Sequence, residues 1–343
     1  MLTSPSEPSE PSEPSEPSEP SEPSERSGRE ATPGALPTGD VTRFRSVAVV
    51  GAGLMGRRLA GVFASRGLIV TLTDADPSVL PEAGHEAQRL ARELGGAPGS
   101  VRTAVHLEEA LDGADLVTEA VVENLQLKRK LFTEMAGLAP TAVLASNSSV
   151  LPITSISEYV DDPSRAIGTH WWNPPDLIPI VEVVQGESTS LGVVADVMAL
   201  MERLGKRPVW VRRDVPGFVG NRLQHALWRE AIALVAEGVA DPETVDLVVR
   251  DTIGLRLGEM GPLANADYVG LDLTRSIHEA VFPALDRSVT PHPILDDLVR
   301  AGRLGAKSGQ GFLTWSTGAR EAAGAALAAH VSAELAARLD SGA

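Results

Sequence analysis

Val47-Ala48-Val49-Val50-Gly51-Ala52-Gly53-Leu54-Met55-Gly56 is the most informative segment of the chain. It places the pattern Gly-x-Gly-x-x-Gly between an apolar run and a helical one. We expect Gly51 to make a tight turn and Gly53 to let a phosphate group approach the backbone, while Gly56 allows the helix to pack closely on the strand. The helix N-terminus, which begins at Leu54-Met55, would then face negative phosphates. The pattern predicts a dinucleotide-binding turn.

A carboxylate at the end of the next apolar run narrows the choice of dinucleotide. Asp74 follows the run Ile69–Thr73 and lies 23 residues after Gly51. An acid in this position accepts hydrogen bonds from ribose hydroxyls. It would repel a 2′-phosphate, and residues 75–77 contain no arginine to neutralise one. The sequence therefore predicts NAD rather than NADP.

Short apolar runs alternate with helical patterns through the first half of the chain. The runs are rich in valine, isoleucine and alanine, which is typical of buried strands. The predicted strands are Ser46–Val50, Ile69–Thr73, Leu116–Ala120, Ala142–Ala145 and Arg165–Thr169, with helices such as Leu54–Ser65 and Leu125–Gly137 between them. This alternation predicts right-handed βαβ units and a mostly parallel sheet, which is an α/β domain of the Rossmann type.

After Arg212 the pattern becomes helical throughout. The predicted helices are Phe218–Glu237, Pro242–Thr252, Tyr268–Leu285 and Pro293–Ala301, and an alanine-rich helical stretch covers Ala319–Leu339. We therefore predict an α/β domain over residues 43–212 and an all-α domain over residues 213–318. Residues 319–343 are predicted to form a helical extension.

The N-terminal segment has a different composition. From Pro5 to Glu25 the chain repeats Pro-Ser-Glu, which offers little apolar surface to bury and few backbone donors. We predict a disordered tail over residues 1–42 and assign it no function. A docking or serine-phosphorylation segment is the alternative interpretation.

Composition excludes several classes of protein. The 343 residues include 46 acidic and 30 basic side chains, and a net charge of -16 argues against nucleic-acid binding. The absence of cysteine excludes disulfide scaffolds, thiolate metal sites and thiol nucleophiles. No apolar run is long enough to span a bilayer, and the N-terminus lacks a signal pattern. These features predict a cytoplasmic protein without nucleic-acid or membrane partners.

Four further segments identify a family. They are Ser146–Ser149, Gly168–Pro175, Ile180–Val183 and Asp214–Arg222. Together with the glycine pattern they resemble the L-3-hydroxyacyl-CoA dehydrogenase family, which includes the lambda-crystallin-like 3-hydroxy-acid dehydrogenases. The resemblance runs from about Ser46 to Phe312, with the motifs in the family's order and close to its spacing.

The resemblance implies NAD-dependent oxidation of the 3-hydroxyl of an L-3-hydroxyacyl-CoA to the 3-ketoacyl-CoA, a reaction of fatty acid metabolism. His170 matches the family's general base, and Glu182 matches the carboxylate that orients it. A histidine suits this role, since it must take a proton from oxygen as a hydride leaves carbon. Ser149 and Asn221 match residues that hydrogen-bond the substrate's hydroxyl or its thioester carbonyl.

The family's other cofactor contacts match Glu123, Lys128, Asn173 and Lys307. Helical C-terminal domains in this family commonly pair, so the resemblance also implies a homodimer, with residues 213–318 as the substrate and dimerisation domain.

Two departures from the family leave the substrate open. The region 74–119, where fatty-acid-oxidising members carry a long hairpin with basic contacts to coenzyme A, is short and contains no lysine. Trp171-Trp172 and Pro174–Pro179 are nearer to the lambda-crystallin-like branch, which includes enzymes of free gulonate or carnitine. The tryptophans could narrow the pocket or simply pack in the core.

The sequence thus ranks three substrate classes. A coenzyme A thioester is the first expectation, followed by a free 3-hydroxy acid and then a carrier-protein thioester. A crystallin-like or regulatory protein that binds NAD without turnover is the non-enzymatic alternative, and it predicts loss of the His170–Glu182 pair, both of which are present.

Overall fold

The computed structural model describes residues 36–95 and 100–341. Most of the predicted tail, residues 1–42, lies outside the described residues. Its last part does contact the fold, since the backbone N–H of Asp40 donates to Asp196 Oδ1 at 2.7 Å. A Cβ on Gly39 would lie only 2.2 Å from the Ala195 carbonyl oxygen. The fold therefore includes residues that the sequence had placed in the tail.

An eight-stranded sheet forms the centre of the N-terminal half, in the order β3-β2-β1-β4-β5-β6-β7-β8. Its strands are β1 Ser46–Val50, β2 Ile69–Thr73, β3 Val101–Thr103, β4 Leu116–Glu119, β5 Val143–Ser146, β6 Ala166–Trp171, β7 Ile180–Val184 and β8 Arg207–Val211. All neighbouring strands are parallel except β6 and β7, which are antiparallel. The strand order reverses between β1 and β4, and ligands of such sheets bind at the carboxyl ends beside this reversal.

The five strands expected from the sequence are present, and three more were not predicted. Strand β3 has only three residues, of which Val101 alone is buried. Strand β8 lies at the sheet edge and contains Pro208, which weakens a strand pattern and is tolerated at an edge. Strand β6 also extends further than expected, so His170 lies within it rather than after it.

Helices cover both faces of the sheet. They are α1 Leu54–Ala64, α2 Leu80–Glu93, α3 Leu107–Leu111, α4 Leu125–Leu138, α5 Ile153–Ile156 and α6 Leu191–Arg203. In β1, Val47 and Val49 pack in a cluster with residues of α1, α2 and α6. Ala48 and Val50 pack in the opposite cluster with residues of α3, α4 and α5. Side chains alternate between faces along a strand, so an uninterrupted apolar run in β1 serves two cores.

The C-terminal half is helical. Its helices are α7 Gly220–Ala236, α8 Pro242–Val248, α9 Leu255–Leu257, α10 Pro262–Val269, α11 Leu271–Val281, α12 Pro293–Arg300 and α13 Ala319–Ser341. The single helix predicted over Tyr268–Leu285 is instead divided at Gly270, whose φ of 105° is a conformation that favours glycine. None of the described helices is long and apolar enough to cross a membrane.

Candidate active site

The glycine turn between β1 and α1 leaves a space that a ligand could enter. Gly51 has φ 102°, and a Cβ there would lie 2.8 Å from the Ala120 carbonyl oxygen. A Cβ on Gly56 would lie 1.7 Å from the Gly51 carbonyl oxygen, so these two glycines are required by packing. A Cβ on Gly53 would meet nothing within 4 Å. Helix α1 has no side-chain cap, so its first N–H groups remain available to phosphate oxygens.

Asp74 stabilises this turn from the end of β2. Its Oδ2 accepts a hydrogen bond from the Ala52 N–H at 2.6 Å, and its Oδ1 accepts one from the Asp76 N–H at 2.9 Å. Each carboxylate oxygen retains a second lone pair for a ribose hydroxyl. Asp74 therefore lies where the sequence predicts an acceptor for ribose hydroxyls, and it also stabilises the glycine turn, a role that the sequence did not reveal.

His170 and Glu182 form a buried pair across two strands. They lie directly opposite each other in the antiparallel β6–β7 ladder, so their side chains share one face of the sheet. His170 Nδ1 lies 2.7 Å from Glu182 Oε2, and the side chains are 4% and 3% exposed. Because an ionised carboxylate accepts only, Nδ1 carries the proton and Nε2 keeps a lone pair.

The second oxygen of Glu182 is held by the start of helix α7. Oε1 accepts hydrogen bonds of 3.0 Å from the backbone N–H groups of Val219 and Gly220. Burial alone would raise the pKa of Glu182, but the hydrogen bonds from His170 and from the two backbone N–H groups hold it below the ordinary glutamate value. The carboxylate is thus kept ionised beside His170.

The two tryptophans that follow His170 have different surroundings. Trp171 is buried in the core, 5.9 Å from the Phe63 ring between centroids. Trp172 lies beside the candidate base, with its ring 5.0 Å from that of His170. A Cβ on Gly220 would lie 2.3 Å from the Trp172 ring, so this glycine lets the indole pack on the helix start. Only Trp172 is placed to restrict a substrate.

Phe218 covers another side of the His170 ring. The two ring centroids are 5.7 Å apart, and Phe218 is buried with Val184 and Val211. Its φ of 51° is unusual for a bulky residue and often accompanies functional sites.

Ser149 and Asn221 are brought together by a hydrogen bond. Asn221 Nδ2 donates to the Ser149 carbonyl oxygen at 2.8 Å, which links the loop after β5 to helix α7. Asn221 is buried, whereas Ser149 is exposed. Within the described parts of the chain the Ser149 hydroxyl has no recorded partner, so it can donate to a bound substrate.

A buried ion-pair network supports that loop. Lys128 Nζ lies 2.7 Å from Glu119 Oε1 and 3.2 Å from Glu123 Oε2. The Lys128 and Glu119 side chains are 1% and 0% exposed. Glu123 Oε1 accepts the Ser148 hydroxyl and the N–H of Ser149 at 3.1 Å. Lys128 therefore acts on the loop through Glu123, and the direct cofactor contact expected for it stays a prediction.

Glu123 itself is kept ionised by these contacts. Its burial would raise its pKa, but the Ser148 hydroxyl, the Lys128 ammonium and the Val150 N–H lower it below the ordinary value. A carboxylate that gathers several donors at one loop fixes the backbone that carries Ser149.

The remaining expected cofactor contacts are on the surface. Asn173 is exposed and precedes Pro174 in a cis peptide bond. Lys307 is exposed in the loop after α12, and its neighbours Gly305 and Ala306 line a cavity that also includes Asn221. No hydrogen bond among the described residues joins either side chain to the glycine turn.

Three supporting residues were missed at the level of the sequence. Glu119 Oε2 accepts the Ser146 hydroxyl at 2.8 Å, and Asn147 Oδ1 accepts the Trp171 N–H at 3.0 Å. Ser148 donates to Glu123. An acid at the end of an apolar strand, as in Leu116–Glu119, is the one signal that could have indicated this network.

Family models match most of the chain. The model described as 3-hydroxyacyl-CoA dehydrogenase, NAD binding domain, covers residues 46–215, and the model of the C-terminal domain of the same enzymes covers residues 217–315. The chain belongs to the 3-hydroxyacyl-CoA dehydrogenase family. It is an NAD-dependent oxidoreductase that acts on CH–OH groups.

Relatives in this family are named for different substrates. A probable 3-hydroxybutyryl-CoA dehydrogenase of Bacillus subtilis is 40% identical, over 78% of this chain and 96% of its own. The 5-formyl-3-hydroxy-2-methylpyridine 4-carboxylate 5-dehydrogenase of Mesorhizobium japonicum is 36% identical, over 79% of this chain and 91% of its own. An L-carnitine dehydrogenase of Streptomyces coelicolor is 39% identical, over 66% of this chain and 74% of its own.

A solved structure of such a pyridine carboxylate dehydrogenase, described as an NAD+ dependent dismutase, is similar to this fold. Its TM-score is 0.80 at 34% identity, covering 86% of this chain and 98% of that one. The family and the cofactor are thus established, whereas the names of these relatives give different substrates.

Proposed function

We propose that this enzyme oxidises the 3-hydroxyl of an L-3-hydroxyacyl-CoA to the 3-ketoacyl-CoA, reversibly, with His170 as general base. The observation that carries the proposal is the buried pair of His170 and Glu182, at 2.7 Å, in the strand pair that continues the dinucleotide-binding sheet. A histidine that acts as a general base is often oriented by a carboxylate that holds its second ring nitrogen. Here two residues twelve positions apart in the chain meet across the β6–β7 ladder in that geometry, which supports a catalytic role.

His170 and Glu182 have different roles in removing the proton from the substrate hydroxyl. The Nε2 lone pair of His170 would accept the hydroxyl proton, and bound NAD would supply the acceptor for the hydride that leaves C3. Glu182 stabilises the imidazolium that results, because its carboxylate already holds Nδ1–H. Ser149 and Asn221 would hold the substrate oxygens, so that C3 is oriented for the transfer. In the reverse direction the same nitrogen returns the proton.

The cofactor would lie against the glycine turn and Asp74. NAD supplies the hydride acceptor, while the open space at Gly53 and the uncapped start of α1 fit a pyrophosphate.

A free 3-hydroxy acid is the alternative substrate, and specific contacts favour it. Two of the three arginines between β2 and β4 are engaged locally: Arg89 pairs with Glu93 at 2.6 Å, and Arg102 Nε donates to the Thr71 hydroxyl at 2.8 Å. Trp172 narrows the space beside His170. A hydroxyacyl group on a carrier protein would meet the same restriction.

A homodimer is also part of the proposal, formed by the helical domain that we place at residues 213–318. Helices α10, α11 and α12 contain no buried residue, and large apolar side chains are exposed along this part of the chain. They include Leu255, Leu263, Tyr268, Leu271, Ile277 and Phe282. Exposed apolar surface of this extent marks a protein interface.

The deciding experiment measures NADH formation with a matched panel: L-3-hydroxybutyryl-CoA, longer L-3-hydroxyacyl-CoAs, and free 3-hydroxybutyrate, gulonate and carnitine. Turnover of thioesters is the expected result. Turnover of the free acids alone would replace the first substrate class by the second, and a lack of turnover with every compound would contradict both.

A further inference from the structure

A large cavity lies beside Asn221, on the helical side of the candidate active site. Its volume is about 1220 Å³, and it is bordered by α7, α8, residues 288–295 and the loop 305–315. Apolar side chains such as Val150, Trp228 and Phe312 form much of its wall. The cavity is therefore continuous with a residue that we assign to substrate binding, and it is large enough for a substrate that extends away from His170.

One face of α7 brings basic side chains into this cavity. Arg222, His225 and Arg229 line it, and their spacing of three, four and seven residues places them on one side of a helix. At 1.5 Å per residue, Arg222 and His225 are separated by about 4.5 Å along the helix axis, and Arg229 lies about 10.5 Å beyond Arg222.

The two arginines of this face differ in their partners, and the cavity also contains one acid, Asp246 of α8. No carboxylate among the described residues pairs with Arg222, whose Nη1 makes a long, 3.5 Å hydrogen bond to the Pro216 carbonyl oxygen. Arg229, in contrast, lies 3.8 Å from Asp286 Oδ2 and donates to the Ser288 carbonyl oxygen at 3.3 Å. An unpaired guanidinium at the edge of an apolar cavity is well suited to a planar anion.

We propose that Arg222, assisted by His225, forms an anion subsite for a carboxylate or phosphate group of the substrate whose hydroxyl faces His170. This inference rests on the proposed function and names the charge that the substrate carries. The carboxylate would come from a free hydroxy acid, and the phosphate from the coenzyme of a thioester. Either group would receive charge-assisted hydrogen bonds from the guanidinium.

The test compares charged substrates with neutral counterparts. The first pair is 3-hydroxybutyrate and 3-hydroxybutyramide, and the second is 3-hydroxybutyryl-CoA and the uncharged 3-hydroxybutyryl-N-acetylcysteamine. For each pair we would measure kcat/KM with NAD for the wild type, Arg222→Gln and His225→Gln. Arg300→Gln is the matched control, since Arg300 is an exposed arginine of α12 outside the cavity.

The expected result is that Arg222→Gln lowers the preference for the charged member of one pair by about tenfold to a hundredfold, the loss equivalent to a charge-assisted hydrogen bond. His225→Gln should lower it less, and Arg300→Gln should leave it unchanged. A change confined to the acid and amide identifies a carboxylate, and a change confined to the thioesters identifies a phosphate.

Equal preferences in the wild type and Arg222→Gln, for both pairs, would overturn the subsite while the dehydrogenase activity stood. If the wild type oxidised none of these four compounds and none of the longer L-3-hydroxyacyl-CoAs, gulonate and carnitine, the proposed function would fail instead. Binding of acetoacetate against acetoacetamide to the enzyme with NADH needs no turnover, so it would still decide the subsite. A preference for acetoacetate that survives in Arg222→Gln would count against it.

Discussion

The two halves of this enzyme differ in how far they bury their apolar residues. In the sheet half, β1 buries Val47 and Val49 against one layer of helices and Ala48 and Val50 against the other. In the helical half, α10 to α12 bury no residue, and side chains such as Leu271 remain exposed. The proposed homodimer would account for this difference, because the sheet half has a core of its own, whereas the exposed apolar side chains of the helical half would be covered by a second copy.

The candidate chemistry joins the two halves. His170 and Glu182 belong to the sheet, while Asn221 and the N–H groups that hold Glu182 belong to the start of α7. Variants in each half should therefore affect turnover, the free energy of unfolding and dimerisation separately. The predictions below test the difference between the two halves in that order.

The largest effect is expected for His170→Gln in the sheet half. Glutamine cannot act as a base at neutral pH, so turnover should fall by about two to four orders of magnitude, the usual contribution of a general base. NADH binding, measured by fluorescence titration, should be nearly unchanged, because the glycine turn is untouched. Turnover close to the wild-type value would exclude His170 as the base.

The next effect concerns the core of the sheet half. Glu119→Gln leaves the Lys128 ammonium, 1% exposed, with Glu123 as its one carboxylate partner among the described residues. Breaking a buried pair from one side costs about 3–5 kcal/mol, so the free energy of unfolding in urea should drop by that order.

A double variant provides the control for this prediction. Glu119→Gln with Lys128→Met removes the two fully buried charges and should recover part of the lost stability, since neutral replacement of a buried pair is often well tolerated. The remaining loss is expected because Glu123, whose side chain is 34% exposed, also loses its Lys128 partner. A double variant as unstable as the single one would show that the ion pair is not what Glu119 contributes.

A smaller effect on folding, but a clear one on association, is expected in the helical half. Leu271→Glu places a charge on the exposed apolar surface, where a second copy is proposed to pack. Light scattering should show a mass near that of one chain, 36.0 kDa, in place of a dimer. Leu191→Glu is a control, because Leu191 is exposed at the start of α6 in the sheet half. Dimers of equal stability in both variants would place the interface elsewhere.

The sequence predicted the contacts that depend on local pattern. The glycine turn needs particular residues within six positions, and the five predicted strands are short runs rich in apolar residues. What escaped prediction depends on the register of distant segments. Trp171 and Trp172 are adjacent in the sequence, yet one packs in the core on Phe63 and the other beside His170. From the sequence, Glu119 is only the last residue of a strand, and its contacts with Lys128 and Ser146 become apparent only in the folded structure.

The smallest effect is expected for cofactor preference at Asp74. The contacts of this side chain make Asp74→Asn a better test than Asp74→Ala. Asp74→Ala should weaken NAD more than NADP, but it also removes the acceptors of the Ala52 and Asp76 N–H groups and so loosens the turn for both cofactors. Asp74→Asn keeps the size and one acceptor oxygen while removing the charge that would repel a 2′-phosphate. The ratio of NADP to NAD affinity should therefore rise by about tenfold, or 1.4 kcal/mol, in Asp74→Asn. Equal weakening of both cofactors in this variant would leave Asp74 with its structural role alone.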